Sequence, residues 1–147
     1  MTPHNHAKPG EYAGACAEFC GLQHTHMGIR VIAETVPDYQ RWKEDQISAA
    51  RQPSTLSQKS GQAVFMSSPC ATCHTIRGTD AGGNFGPDLT HLASRTTLAA
   101  ATVDFNRGTL AAWISDPQGM KPGTNMPTMQ IEPADLDPLL DYLMGLK

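Results

Sequence analysis

Residues 70–74 read Cys70-Ala71-Thr72-Cys73-His74, the C-x-x-C-H spacing of covalent haem attachment. On a short helical turn, two thiols three positions apart reach the two vinyl groups of one porphyrin. The next side chain then sets an imidazole on the iron from the same side. Two other readings of the pair are a redox dithiol and half of a zinc site. A redox dithiol needs a βαβ setting, which the surrounding sequence lacks. A zinc site would have to recruit Cys16 and Cys20, distant in the chain and differently spaced. The motif predicts a haem c bound through Cys70, Cys73 and His74.

The iron then needs a ligand on its other side, and a methionine thioether closes it while raising the potential. Met120, Met126 and Met129 compete for that position. Met126 is preferred, because it sits in Lys121-Pro122-Gly123-Thr124-Asn125-Met126-Pro127, a proline-stiffened loop suited to holding a side chain over a flat ring. Packing is the alternative role for the other two.

Outward from the motif, residues 57–67 read as a helix with Val64 and Phe65 as its apolar contribution. Residues 75–90 are rich in Gly, Asp and Asn and read as loop. Helices are expected at about 92–101 and 109–116, then a loop over 117–131. Leu136, Leu139, Leu140, Leu143 and Leu146 repeat at helical spacing. In that last helix Pro138 either kinks a helix opened by Pro133 or is its first residue, capped by Asp137. The second arrangement is preferred. Upstream, Lys8-Pro9-Gly10 signals a turn, residues 12–16 and 29–33 read as short strands, and Pro37 opens a helix over 38–46. Tyr39 and Trp42 are spaced to share a face of it. Domain boundaries follow: a β fragment plus short helix over 1–48, a linker over 49–56 with Pro53, and a helical domain over 57–147.

The 147 residues suit one ordinary domain or a small domain plus a fragment, and 39% hydrophobic with 17% charged residues reads as globular. Charge is spread evenly, with five Lys/Arg against six Asp/Glu in residues 1–53 and six against eight in residues 54–147. That excludes the basic patch of a nucleic-acid binder. No apolar run reaches the ~20 residues of a membrane span, and no signal-peptide pattern opens the chain.

A second motif lies near the start: Cys16-Ala17-Glu18-Phe19-Cys20-Gly21-Leu22-Gln23-His24-Thr25-His26-Met27. Thiolate, imidazole and thioether together select copper over harder metals. Zinc, or a chance Cys/His-rich loop, remains open on the residues alone.

Residues from about 57 to 147 resemble a class I cytochrome c domain. Gly61 and Phe65 are similar to the helix that crosses the C-terminal helix in that family, here offering Leu139, Tyr142 and Leu143. Asn84-Phe85-Gly86-Pro87-Asp88-Leu89 resembles the loop whose proline carbonyl accepts the proton of the iron-binding histidine. The resemblance implies that role for Pro87 toward His74. Trp113 is either near a haem propionate or a plain core residue.

The segment 16–27 resembles the binuclear copper (CuA) loop of cytochrome c oxidase subunit II. The resemblance implies that Cys16 and Cys20 bridge two coppers, that His24 and the Glu18 carbonyl hold one, and that Met27 holds the other. It also implies that the Glu18 side chain helps hold a magnesium ion, and that His26 is not a ligand. The family's remaining histidine lies on a strand well upstream, and His4 and His6 are too close to the loop to match it. The chain therefore reads as the C-terminal part of a longer, membrane-anchored subunit, with copper A bound once the upstream histidine is supplied.

A cupredoxin tail followed by cytochrome c is the order of caa3-type oxidases. The implied fold class is mainly α, a class I cytochrome c fold preceded by a short β fragment resembling the end of a cupredoxin domain. The implied function is electron transfer from a donor cytochrome or quinol-oxidising complex toward copper and the oxygen-reducing subunit. The partners are the other oxidase subunits, on the periplasmic or outer face of the bacterial cytoplasmic membrane. The alternatives are a cytochrome-fused nitrous oxide reductase, which usually has an aromatic residue where this chain has Glu18, and a free-standing haem sensor with an open iron position.

Overall fold

The computed structural model describes residues 8–147. The expectation concerning His4 and His6 lies outside the described residues. Strand β1 (Gly10–Ala15) pairs antiparallel with β2 (Gly28–Ala33), Gly10 opposite Ala33 and Ala15 opposite Gly28. The loop between them closes on itself where Cys16 N donates to Met27 O at 3.1 Å. Helix α1 (Val36–Ile47) follows, capped by the Thr35 side chain with Pro37 in its first turn. Tyr39 and Trp42 share a face as expected, their ring centroids 5.7 Å apart.

Helix α2 (Leu56–Ser67) opens on a reciprocal cap between Thr55 and Gln58, which satisfies donors that a helix start leaves free. It leads into the single turn α3 (Cys70–Cys73). Helices α4 (Arg107–Ser115), α5 (Pro117–Met120) and α6 (Pro133–Met144) complete the α part. A two-residue pair, β3 (Thr97–Leu98) with β4 (Val103–Asp104), precedes α4.

The core forms where α2 crosses α6. Phe65 packs edge-on to Tyr142 at 6.0 Å, beside buried Leu139, Leu140 and Leu143. Ile76, Leu92, Leu98, Leu110 and Ile114 fill in from the loops and α4, with Trp113 half-buried against them. This is the mainly α architecture expected, with a β fragment in front. Among the described residues no helix is long and apolar enough to cross a membrane.

Three expectations need correction. Residues 92–101 are not a helix. One 3-10 turn (Leu92–Ser94) ends at β3, and Ala99, Ala100 and Ala101 are all left-handed, at φ 54°, 59° and 58°. Second, the expected loop over 117–131 contains α5, started by Pro117 at its first turn and capped by Asp116, whose carboxylate accepts Gly119 N at 2.8 Å. Third, α6 begins at Pro133 and holds Pro138 inside it. Pro133 opens the helix at no hydrogen-bonding loss, Asp135 suits the positive end of the dipole, and starting early brings Leu136 onto the apolar face.

Every residue of β1 is exposed, as are Ile29, Val31 and Ile32 of β2. A two-stranded sheet has no core of its own, so its position comes from contacts with the α part. Gly28 N donates to Ala100 O at 2.9 Å, and a Cβ at Gly28 would meet that of Ala101 at 2.9 Å. Between the two parts, Ala50 is buried and its N–H donates to Arg77 O at 2.9 Å.

Candidate haem and metal centres

The turn α3 sets Cys70 and Cys73 at its two ends, both half-buried free thiols, and His74 caps it through its own N–H to Cys70 O at 2.9 Å. The His74 ring is then held from behind. Its Nδ1 lies 2.8 Å from Pro87 O, so Nδ1–H donates and Nε2 keeps its lone pair for a metal. Gly86 makes this approach possible. A Cβ there would lie 2.4 Å from His74 Cε1, and the Gly86 N–H donates to Cys73 O at 2.7 Å. Two thiols and a backed imidazole on one turn fit the donor set of a haem c.

Met126 is half-buried in a loop stapled by one side chain that sequence reasoning missed. Gln118 Nε2 donates to Thr124 O and to Met126 O, each at 2.7 Å, while its Oε1 accepts Gly123 N at 3.1 Å. Met120 closes α5, and Met129 lies beyond Pro127.

The second cluster is gathered by the turn between β1 and β2. One donor atom each from Cys16, Cys20 and His24 lies within 4.8 Å of the others. Cys16 Sγ is 3.1 Å from Glu18 O and 3.4 Å from Cys20 Sγ. Cys20 Sγ is 3.7 Å from both His24 Nδ1 and Met27 Sδ. The Cys16 hydrogen bond raises the Cys20 thiol above its ordinary pKa. Two thiols, an imidazole, a thioether and a carbonyl in this space form a donor set for a soft ion, and copper fits it. His26 is not in the cluster; its Nδ1 lies 3.1 Å from Gln23 Oε1.

The loop that carries the cysteine–histidine cluster rests on the loop that carries Met126. Gln23 Nε2 donates to Pro122 O at 2.7 Å, and Leu22 packs on Gly123, where a Cβ would approach it to 2.8 Å. Lys121, only 7% exposed, extends its ammonium between the two parts and donates to His26 O at 2.8 Å and to Ala99 O at 2.6 Å. Burial lowers its pKa from the ordinary lysine value, opposed by the nearby Cys20. Lys121→Met should leave both carbonyls without their charged donor and speed hydrogen exchange at Gly28 N–H about tenfold, given about 1.5–3 kcal/mol for a charged hydrogen bond. Amides within α2 should be unaffected. An unchanged Gly28 rate would mean that Lys121 does not hold the loop.

The cytochrome c family model matches residues 58–147, and a cytochrome c domain implies a haem c. Over 141 residues the chain is 34% identical to cytochrome c oxidase subunit 2 of Alkalihalophilus pseudofirmus, covering 95% of this chain and 40% of that protein. It is 27% identical to the subunit 2 of Bacillus subtilis, over 92% of this chain and 39% of that one. With the subunit 2 of Bacillus sp. strain PS3 it shares 30% identity, over 94% and 40% respectively. The chain thus spans about two fifths of the length of the curated relatives it matches.

Proposed function

Because this chain belongs to the cytochrome c family, we propose that it relays single electrons within a cytochrome c oxidase. It takes them from a donor cytochrome or a quinol-oxidising complex and delivers them toward a copper centre and the oxygen-reducing subunit. Its place is the outer face of a bacterial cytoplasmic membrane, bound to the other oxidase subunits. A haem c supplies the one-electron couple.

The chain's own residues do the rest. Cys70 and Cys73 would tether the group, His74 and Met126 would hold its iron, and Pro87 and Gly86 fix the His74 ring. With the iron held by two protein side chains, little would rearrange between oxidation states. Cys16, Cys20, His24, Met27 and the Glu18 carbonyl would hold copper, with the upstream histidine of a longer chain completing copper A. The observation that carries the reading is the seat of one donor loop on the other, Gln23 on Pro122 and Lys121 on His26. These contacts bring the segments that bear the two ligand sets side by side.

The test is the iron and copper content per chain, on protein matured where haem c is attached and then offered copper. One covalently retained iron is expected, with full copper loading only in a chain extended to the length of the relatives. A matured protein without covalent haem would sink the proposal. Two coppers on residues 1–147 alone would mean that His4, His6 or His26 completes the site, so that no upstream histidine is needed.

A further inference from the structure

Three contacts from the cysteine–histidine loop reach the segment that leads to Met126: Lys121 with His26 O, Gln23 with Pro122 O, and Leu22 against Gly123. They stop at Gly123. From residue 125 to residue 130 no backbone N–H donates to another backbone group, and no carbonyl accepts from one. A segment without a ladder of its own takes its shape from the side chains that reach its polar groups. Thr128 makes one such contact, its hydroxyl 3.4 Å from Asp116 Oδ1. Gln118 makes three from a single amide, with Nε2 donating to Thr124 O and Met126 O and Oε1 accepting Gly123 N.

That amide is anchored at its own end as well. Gln118 follows Pro117, which is fully buried, and Asp116 caps the turn by accepting Gly119 N. The residue type is also specific to the task. Two N–H donors and a carbonyl acceptor on one planar group belong to Asn and Gln side chains alone, and Asn is a methylene shorter. Glutamate keeps the shape, but when ionised it loses both donors and turns its charge on two carbonyls.

We propose that Gln118 is the positioning residue that keeps the Met126 thioether on the iron against competing ligands. A thioether is a neutral donor on a flexible stem, so the strength of its hold depends on how far the backbone beneath it is fixed in advance. Gln118 supplies that fixing at three points of the loop, and it acts only through Met126. The inference rests on the reading of Met126 as an iron ligand, and the experiment separates the two.

The experiment is a titration of the ferric, haem-loaded chain with imidazole, followed by the shift of the haem absorption bands. Imidazole has to displace Met126, so its apparent affinity reports how firmly the thioether holds. Gln118→Leu should raise that affinity about 10–100-fold, the range over which groups that orient a metal ligand act. Gln118→Glu, which keeps the side chain's size, should do the same at neutral pH, so lost volume is not the cause. Leu139→Val, a cavity where α2 crosses α6, should lower the denaturant midpoint and leave imidazole affinity at the parent value. Met126→Ala should bind imidazole more tightly than any of these, and adding Gln118→Leu to it should change nothing further. Parent-like affinity in Met126→Ala would remove the ligand reading and this proposal with it. Tight binding by Met126→Ala beside parent-like affinity in Gln118→Leu overturns this proposal alone. So does a Leu139→Val effect as large as that of Gln118→Leu, or a further gain in the double variant.

Discussion

Met126→Ala is expected to lower the midpoint potential of the haem-loaded protein by on the order of 0.2–0.4 V, part of the roughly 0.8 V span that axial ligands cover. It should also let carbon monoxide bind the ferrous iron. A thioether is a soft, neutral donor that favours the reduced metal, so its loss stabilises the oxidised state and opens a coordination position. Met120→Ala should do neither. Met120 ends α5 with its N–H on Asp116 O at 3.2 Å, a helical backbone that follows its own hydrogen bonds. Met126 is placed instead by Gln118, which grips Met126 O and Thr124 O with one amide group. A potential drop with carbon monoxide binding in Met120→Ala, and none in Met126→Ala, would reverse the assignment.

What can be read in the sequence, and what cannot, divides by the range of the deciding contacts. Helix α2 follows from the local placing of Val64 and Phe65, β2 from its β-branched run, and β1 from a run of small residues after a turn signal, so short windows suffice for them. Both donor motifs are local too, which is why spacing alone groups Cys16, Cys20 and His24, whose donor atoms lie within 4.8 Å of one another. Residues 92–101 mislead because alanine is the best helix former, yet Ala99, Ala100 and Ala101 turn left-handed at about 1–2 kcal/mol each. Their carbonyls are held from outside: Ala100 O by Gly28 N and Ala99 O by Lys121 Nζ. Neither partner is close in sequence, so no local window contains the reason. Lys121 and Gln118 escape a sequence reading for the same cause. A lysine before Pro-Gly and a glutamine after proline look like ordinary surface residues until the β1–β2 loop and the methionine loop are in place. Pro138 misleads although its local rule is sound, because α6 needs Leu136 as well as Leu139 and Leu143 on the core side.

Gly61→Ala is the largest stability change expected, and two rules disagree about its sign. Propensity alone says that alanine in the middle of α2 should help by about 0.5–1 kcal/mol. Contact says the reverse. A Cβ at Gly61 would fall 1.9 Å from Pro138 O and 2.5 Å from Pro138 C, and 2.8 Å from Tyr142 Cβ. The first two are backbone atoms of α6, so no side-chain rotation relieves them. The helices would have to separate, loosening Phe65 from Tyr142 and exposing Leu139, which are 1%, 2% and 1% exposed now. Overpacking of this kind typically costs about 1–3 kcal/mol and sometimes more. With two helix backbones in collision, a loss of at least about 3 kcal/mol is expected, a large share of the roughly 5–15 kcal/mol that holds a domain together. Gly82→Ala is the control, since no atom lies within 4 Å of its Cβ position. Denaturant unfolding of the two haem-loaded variants beside the parent decides the matter: equal stability of Gly61→Ala would mean the α2–α6 crossing is not this close. The consequence reaches the haem as well. α2 runs within three residues of Cys70, so a crossing that opens moves one thiol of the attachment turn against Cys73 and His74. Incomplete covalent attachment should therefore accompany the lost stability in Gly61→Ala and be absent in Gly82→Ala.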